Sequence, residues 1–246
     1  VGSHGAPTWR RIALMSVWTA IAFLFRHDYA VYCGVGFATL IVLSAGPGWR
    51  DRIGRSIGYA VITALVLAPS LGWIQRYAGL SEYLRNAREM SRGEYERTRI
   101  GWPVMSFDGM RSPFEMFERE ENAEAWMSYL FLIVPLLAAG IAGSRLSRGS
   151  DRDTRGAALV AISVMTLALW YFFLRGNLGA RVGEMGPSIA VISAWLLSLT
   201  FAGRRPWSRT ALAGSAALAV LAVTVICTWR LGEVKAELRT SRLLEP

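Results

Sequence analysis

Long apolar runs alternate with short clusters of arginine along most of the chain, and this alternation restricts the fold more than any other feature. A helix that crosses a bilayer needs about 20 mostly apolar residues, within a range of roughly 17–25. Runs close to that length cover residues 12–25, 29–45, 57–74, 125–142, 157–174, 187–202 and 211–229. The pattern predicts an all-α, polytopic membrane helical bundle of about seven transmembrane helices. Pro187 is expected in the first turn of its helix, where a proline disturbs least.

The composition supports a membrane protein and argues against other classes. The chain is 53% hydrophobic and only 18% charged, whereas soluble domains usually carry about 25% charged residues. Its net charge of +9 comes from arginines between the apolar runs, where topology explains them, so the expected partner is the lipid bilayer and not nucleic acid. The only histidines, His4 and His27, lack ligand spacing. We therefore expect neither a metal nor another cofactor.

The distribution of arginine between alternate connections predicts the orientation, because short cytoplasmic loops carry the excess of basic residues. Among the short connections, one set contains most of the arginines: Arg10, Arg11, Arg50, Arg52, Arg55, Arg145, Arg148, Arg152, Arg155, Arg204, Arg205 and Arg209. The alternate short connections contain only Arg26, Arg175 and Arg181. Loop 75–124 is not counted, because long loops are translocated regardless of their charge. The chain is thus predicted to lie in an inner or plasma membrane, with a cytoplasmic N-terminus and with loop 75–124 facing outward.

The domain organisation predicted from this pattern is a transmembrane bundle over residues 1–229, followed by the start of an outward tail at 230–246. The chain opens with Val1 and not with Met, and it ends just after an amphipathic stretch. We interpret it as a fragment of a longer protein.

The outward loop 75–124 contains an amphipathic pattern. Apolar residues recur at helical spacing in its first part: Leu80, Tyr83, Leu84, Ala87 and Met90. This predicts a helix that lies in the membrane interface with its apolar side in lipid. A second amphipathic piece is expected over 107–124, after a break at 101–103. Two roles remain open for the loop, namely a cap on the bundle or a lid over a site at the outer membrane face.

The tripeptide Arg26-His27-Asp28 lies between two apolar runs with almost no spacer. It is either a hairpin turn whose charges reach the headgroups or a polar group that lines an outward cavity. In the second case Arg26 binds a lipid phosphate, His27 donates to the same phosphate and Asp28 orients either one.

A glycine-rich stretch at 175–184 is the third candidate, and it contains Arg175, Arg181 and Glu184. Glycine lets the backbone approach a ligand closely, and two arginines in an outward loop suit an anionic headgroup. The alternative is a flexible connector with interfacial arginines.

Three stretches together resemble a known family: the Phe-Arg-His-Asp-Tyr-Ala-Val-Tyr run at 25–32, the Gly-Leu-Ser-Glu-Tyr-Leu-Arg run at 79–85, and residues 174–184. They are similar to the C-terminal part of bacterial membrane glycosyltransferases of the GT-C class, relatives of protein mannosyltransferases and aminoarabinose transferases (family 39-like).

This resemblance implies transfer of a sugar from a polyprenyl-phosphate donor at the periplasmic or extracellular face, by an inverting displacement. It places the catalytic carboxylate in an early outward loop that has no counterpart here, so we expect the fragment alone to be inactive. What carries over is a donor-phosphate environment at Arg26, His27 and Arg181, where an arginine and a histidine would stabilise the leaving group. Half of a transporter or flippase and a non-catalytic membrane scaffold are the alternatives. They differ in whether these residues share one cavity.

Overall fold

The computed structural model describes residues 7–44, 48–98, 104–108, 120–147, 154–173 and 178–202. Within these residues the chain is all-helical, with seven helices and no strand. In chain order the helices are α1 Trp9–Phe25, α2 His27–Ser44, α3 Trp49–Tyr77, α4 Leu80–Thr98, α5 Glu120–Ser147, α6 Thr154–Phe173 and α7 Leu178–Ala202.

Three of the described helices are long and apolar enough to cross a membrane: α2, α3 and the part of α5 from Ala125–Ser147. Two further apolar segments, Arg155–Tyr171 and Glu184–Leu199, are shorter. Helix α1 has 17 residues, at the lower end of the length that a crossing needs. The predicted run at 211–229 lies outside the described residues. The all-helical class is therefore confirmed, but a set of seven transmembrane helices is not.

Several helices extend beyond the apolar runs that predicted them. Helix α3 begins at Trp49, so the expected loop arginines Arg50, Arg52 and Arg55 lie in its first two turns. The carboxylate of Asp51 accepts hydrogen bonds from Nε of Arg55 at 2.9 and 3.0 Å, one turn further along the helix. Polar residues that pair in this way continue a helix well, although they do not lengthen its membrane-crossing part.

The chain divides into two compact units, the first formed by Val1–Arg99 with Pro135–Asn177 and the second by Ile100–Val134 with Leu178–Pro246. In the first unit α2 packs against α1, α3 and α6. Its core contains Ile12, Ile41 and Tyr59, all buried. Glycine brings α2 close to α6, because a Cβ at Gly36 would lie 3.2 Å from Cβ of Met165.

In the first unit the start of α1 is held against α3 by a hydrogen bond and a packing contact. The Arg55 guanidinium donates to the Pro7 carbonyl, and the Trp9 ring lies directly on Gly58. Farther along α1, the Ser16 hydroxyl donates to the Tyr59 carbonyl at 3.1 Å. These contacts fix the relative position of α1 and α3 through two hydrogen bonds and one close approach at a glycine.

The second unit has an apolar core and one reciprocal polar contact. Met127, Met185, Ile192 and Leu196 are fully buried in it. The buried Asn122 side chain accepts a hydrogen bond from the Ser106 backbone N–H at 2.8 Å and donates one to the Ser106 carbonyl at 2.9 Å. The described segment 104–108 is thereby held against the first turn of α5, since a side-chain amide can satisfy both backbone groups of one residue.

Candidate functional site

A single residue separates α1 from α2. Arg26 is extended, with φ −157° and ψ 129°, and its N–H closes the last turn of α1 on the Ala22 carbonyl. Helix α2 starts at the next residue, and the Tyr29 N–H donates both to the Arg26 carbonyl at 3.1 Å and to Oδ1 of Asp28 at 3.1 Å. The predicted tight turn is confirmed, and it presents three ionisable side chains at the end of two apolar helices.

Arg26 and Asp28 form a two-pronged ion pair within this α1–α2 joint. Nε of Arg26 donates to Oδ1 of Asp28 at 3.0 Å, and the second prong joins Nη2 to Oδ2. The guanidinium also lies over the Tyr29 ring, 4.5 Å from its centre. The carboxylate and the ring therefore hold the guanidinium plane in one orientation. Even so, 41% of the Arg26 side chain remains exposed, so an anion can approach it.

His27 connects the joint to α4. Its ring packs edge-on against Phe23 of α1 and Tyr83 of α4, with ring centres 4.6 and 5.4 Å apart. Nε2 of His27 is hydrogen-bonded to the Tyr83 hydroxyl. Among the described residues Nδ1 of His27 has no hydrogen-bond partner. That nitrogen is therefore the one able to bond a ligand.

The turn between α3 and α4 brings Tyr83 to the joint. Gly79 has a φ of +74°, a left-handed conformation that glycine adopts without strain. The Gln75 side chain accepts the Leu80 N–H at 2.9 Å, and the Tyr83 N–H donates to the Gly79 carbonyl at 3.0 Å. The amphipathic helix predicted in the first part of segment 75–124 is confirmed as α4, whereas the outward orientation of this segment stays a prediction. The second piece expected at 107–124 falls largely outside the described residues.

The predicted glycine-rich loop at 175–184 is wrong for its larger part, because α7 begins at Leu178. Glycine costs a helix about 1 kcal/mol, but burial of Met185 and Ile189 in the turns that follow outweighs this preference. Pro187 is likewise not in the first turn of its helix but inside α7. Its missing N–H leaves the Gly183 carbonyl without its usual helical partner.

The structure describes the three candidate residues of this stretch to different extents. Arg175 lies outside the described residues, and for Arg181 the structure describes only the helical backbone. Glu184 is half-buried in α7. Arg181 and Glu184 belong to the second unit, whereas Arg26, His27 and Asp28 belong to the first. The structure brings the latter three together, and a shared site with Arg181 stays a prediction.

The sequence did not single out Tyr83 and Tyr29 as members of the site. In the sequence Tyr83 is one apolar position of an amphipathic helix and part of the run at 79–85, and Tyr29 is part of the motif at 25–32. What marks both tyrosines as members of the site is that they lie close to the Arg26–Asp28 turn. For Tyr29 this closeness is visible in the sequence, whereas for Tyr83 it arises only from the fold.

The described chain is thus an all-helical protein with three helices long and apolar enough to span a membrane. No family model, no curated protein and no solved structure matches it. The resemblance to GT-C glycosyltransferases accordingly stays a prediction. Within the described part of the chain, no group of three or more His, Cys, Asp or Glu side chains is placed to hold a metal ion.

Proposed function

We propose that this chain is part of a membrane glycosyltransferase that moves a sugar from a polyprenyl-phosphate donor, and that the α1–α2 joint binds the donor phosphate. The observation that carries the proposal is the Arg26 guanidinium, which is oriented by Asp28 and remains accessible at the end of two apolar helices. A phosphate beside it gains charge-assisted hydrogen bonds, and Nδ1 of His27 supplies a further donor. Stabilising negative charge on the departing phosphate is what such a transfer requires of the protein.

The location in a bilayer is supported by the exposed side chains of α3. Leu65 and Trp73 are each 66% exposed, and Val61 is 51% exposed. An apolar surface of this extent is costly in water but is suited to lipid. We place α1, α6, α7 and 211–229 in the membrane together with α2, α3 and α5, which gives seven crossings in an inner or plasma membrane.

The proposed orientation has a cytoplasmic N-terminus, with the α1–α2 joint and α4 on the periplasmic or extracellular side. Two crossings, α2 and α3, separate the joint from α4, so both must lie on the same side of the membrane. The contact between His27 and Tyr83 agrees with that arrangement. The arginines in the first turns of α3 then face the cytoplasm, as the positive-inside rule expects.

Binding of undecaprenyl phosphate by the purified chain in nanodiscs tests the phosphate site, with undecaprenol, which lacks the phosphate, as the matched ligand. Arg26→Gln should weaken undecaprenyl phosphate binding by about 10- to 100-fold, because a hydrogen bond to a charged group contributes about 1.5–3 kcal/mol. Arg76→Gln removes an exposed arginine from the last turn of α3 and should leave binding unchanged. Equal affinity for the phosphate and the alcohol, or equal losses in the two variants, would remove the joint from the donor site.

Transfer itself is tested in the intact enzyme with a polyprenyl-phosphate sugar as donor. Arg26→Ala should reduce the rate of transfer. Normal phosphate binding without any transfer would keep the lipid-phosphate site but exclude the glycosyltransferase, leaving a flippase or a scaffold as the function.

A further inference from the structure

Helix α4 presents a stripe of arginines. Arg85, Arg88 and Arg92 recur at spacings of three and four residues, so they lie within about 60° of one another around the helix axis. All three side chains are exposed. Arg85 also pairs with Glu82, at 2.5 Å. The acidic Glu82 and Glu89 lie on the far side of this arginine stripe from Leu84.

An exposed apolar residue borders the stripe. Leu84 is 56% exposed and precedes Arg88 by one turn. The neighbouring Tyr83 is half-buried and hydrogen-bonded to His27 of α2. Helix α4 is therefore held by its Tyr83 side, and it presents Leu84 and the arginine stripe together to its surroundings. An apolar edge beside a row of guanidinium groups is the surface of a helix that lies in the headgroup layer of a membrane.

The position of α4 in the chain favours lipid over an acidic protein as the partner. Helix α3 ends with an aromatic pair, Trp73 and Tyr77, whose ring centres are 4.3 Å apart. Tryptophan and tyrosine are enriched at the headgroup level of membrane proteins. Only Ala78 and Gly79 separate α3 from α4. Helix α4 therefore begins at the bilayer surface, where each arginine gains from negatively charged lipids.

We propose that the Leu84 edge and the arginine stripe of α4 form a docking surface for anionic phospholipid headgroups. Docking holds α4 flat on the membrane beside the α1–α2 joint. This role does not depend on the sugar donor, because any anionic bilayer surface supplies the charge that the stripe recognises.

The test uses the full chain reconstituted in vesicles of phosphatidylcholine, with or without phosphatidylglycerol. Spin labels are placed by Leu84→Cys or by Asn86→Cys in a Cys33→Ser, Cys227→Ser background. Positions 84 and 86 lie about 160° apart around the helix. A water-soluble relaxation agent then reports which label is shielded by lipid. With phosphatidylglycerol present, the label at 84 should be shielded and the label at 86 should stay accessible.

Neutralising the stripe gives the decisive comparison. Replacing Arg85, Arg88 and Arg92 by Gln should weaken the phosphatidylglycerol-dependent docking by roughly fivefold per arginine, and added salt should do the same. The control Glu82→Gln, Glu89→Gln should retain or strengthen docking. The proposal is overturned if the label at 84 is as accessible as the label at 86 in every vesicle, which is the result expected for an acidic protein partner. It is also overturned if shielding is the same with and without phosphatidylglycerol.

Discussion

Replacing Gly58 by alanine tests how the start of α1 is packed on α3. A Cβ at this position would lie 2.4 Å from Cζ3 and 2.7 Å from Cη2 of Trp9, far inside the usual carbon–carbon separation of about 3.5–4 Å. The Trp9 ring would have to move and give up its contact. Gly54 lies one turn earlier on α3, and a Cβ there would meet nothing within 4 Å.

The two substitutions are therefore matched in chemistry and differ in packing. Alanine in a helix is favoured over glycine by about 0.5–1 kcal/mol, so Gly54→Ala should raise the free energy of unfolding by that amount. Gly58→Ala has the same gain but must displace the Trp9 ring. Because that side chain is 56% exposed and can move outward, the cost lies at the lower end of the overpacking range, about 1 kcal/mol. The two variants should thus differ by about 1 kcal/mol, with Gly58→Ala the less stable.

The measurement is unfolding of the purified chain in mixed detergent micelles by added dodecyl sulfate, followed by circular dichroism. The same pair is then made in a Trp9→Ala background, where the clash is gone and the gap between Gly54→Ala and Gly58→Ala should nearly close. Equal stabilities in the original background, or an undiminished gap in the Trp9→Ala background, would refute the packing of Trp9 on Gly58.

Two further substitutions test polar contacts by the same unfolding measurement. Asn122→Ala should lower the free energy of unfolding by about 1–3 kcal/mol, because the backbone N–H and carbonyl of Ser106 both lose their partner. The control Asn86→Ala, on the exposed face of α4, should change the free energy of unfolding by less than about 0.5 kcal/mol. Equal effects of the two substitutions would contradict the buried role of Asn122. Tyr59→Phe should lower the free energy of unfolding by only about 0.6 kcal/mol. The loss is small because the Thr19 hydroxyl, 2.5 Å from the Tyr59 hydroxyl, keeps its hydrogen bond to the Met15 carbonyl. If Tyr59→Phe causes the same loss in a Thr19→Val background, the two hydroxyl groups are not coupled.

Apolar periodicity located the described helices better than it located their ends. The predicted runs 12–25, 57–74, 125–142 and 187–202 fall inside observed helices, and the runs 29–45 and 157–174 do so except for their last residue, which lies outside the described residues. The agreement arises because burial in lipid or in a protein core requires the same apolar residues. The ends moved outward wherever polar residues continue a helix, as at Trp49–Ile57 through the Asp51–Arg55 pair. The helix over 178–184 does not follow from the sequence, because glycine content describes a local preference whereas burial of the following turns determines the observed helix.

The candidate site was predictable only as far as it is local. Arg26, His27 and Asp28 adjoin in sequence, so their meeting in a tight turn follows from the two apolar runs around them. The bond from His27 to Tyr83 spans three helices, and no local pattern contains it. It arises because α3 returns the chain to the same end and Gly79 then turns α4 toward the joint.

The one-residue length of the connection at Arg26 sets the rotational phase of α2. Each added residue in a helix turns everything after it by about 100°. An insertion beside Arg26 that is absorbed into α2 would therefore swing Gly36 away from Met165, and a bulkier side chain would enter that narrow contact with α6. A longer connection can accommodate an inserted residue by changing its path, but a connection of one residue cannot. Chains that share this fold should therefore keep its length even where its residues differ.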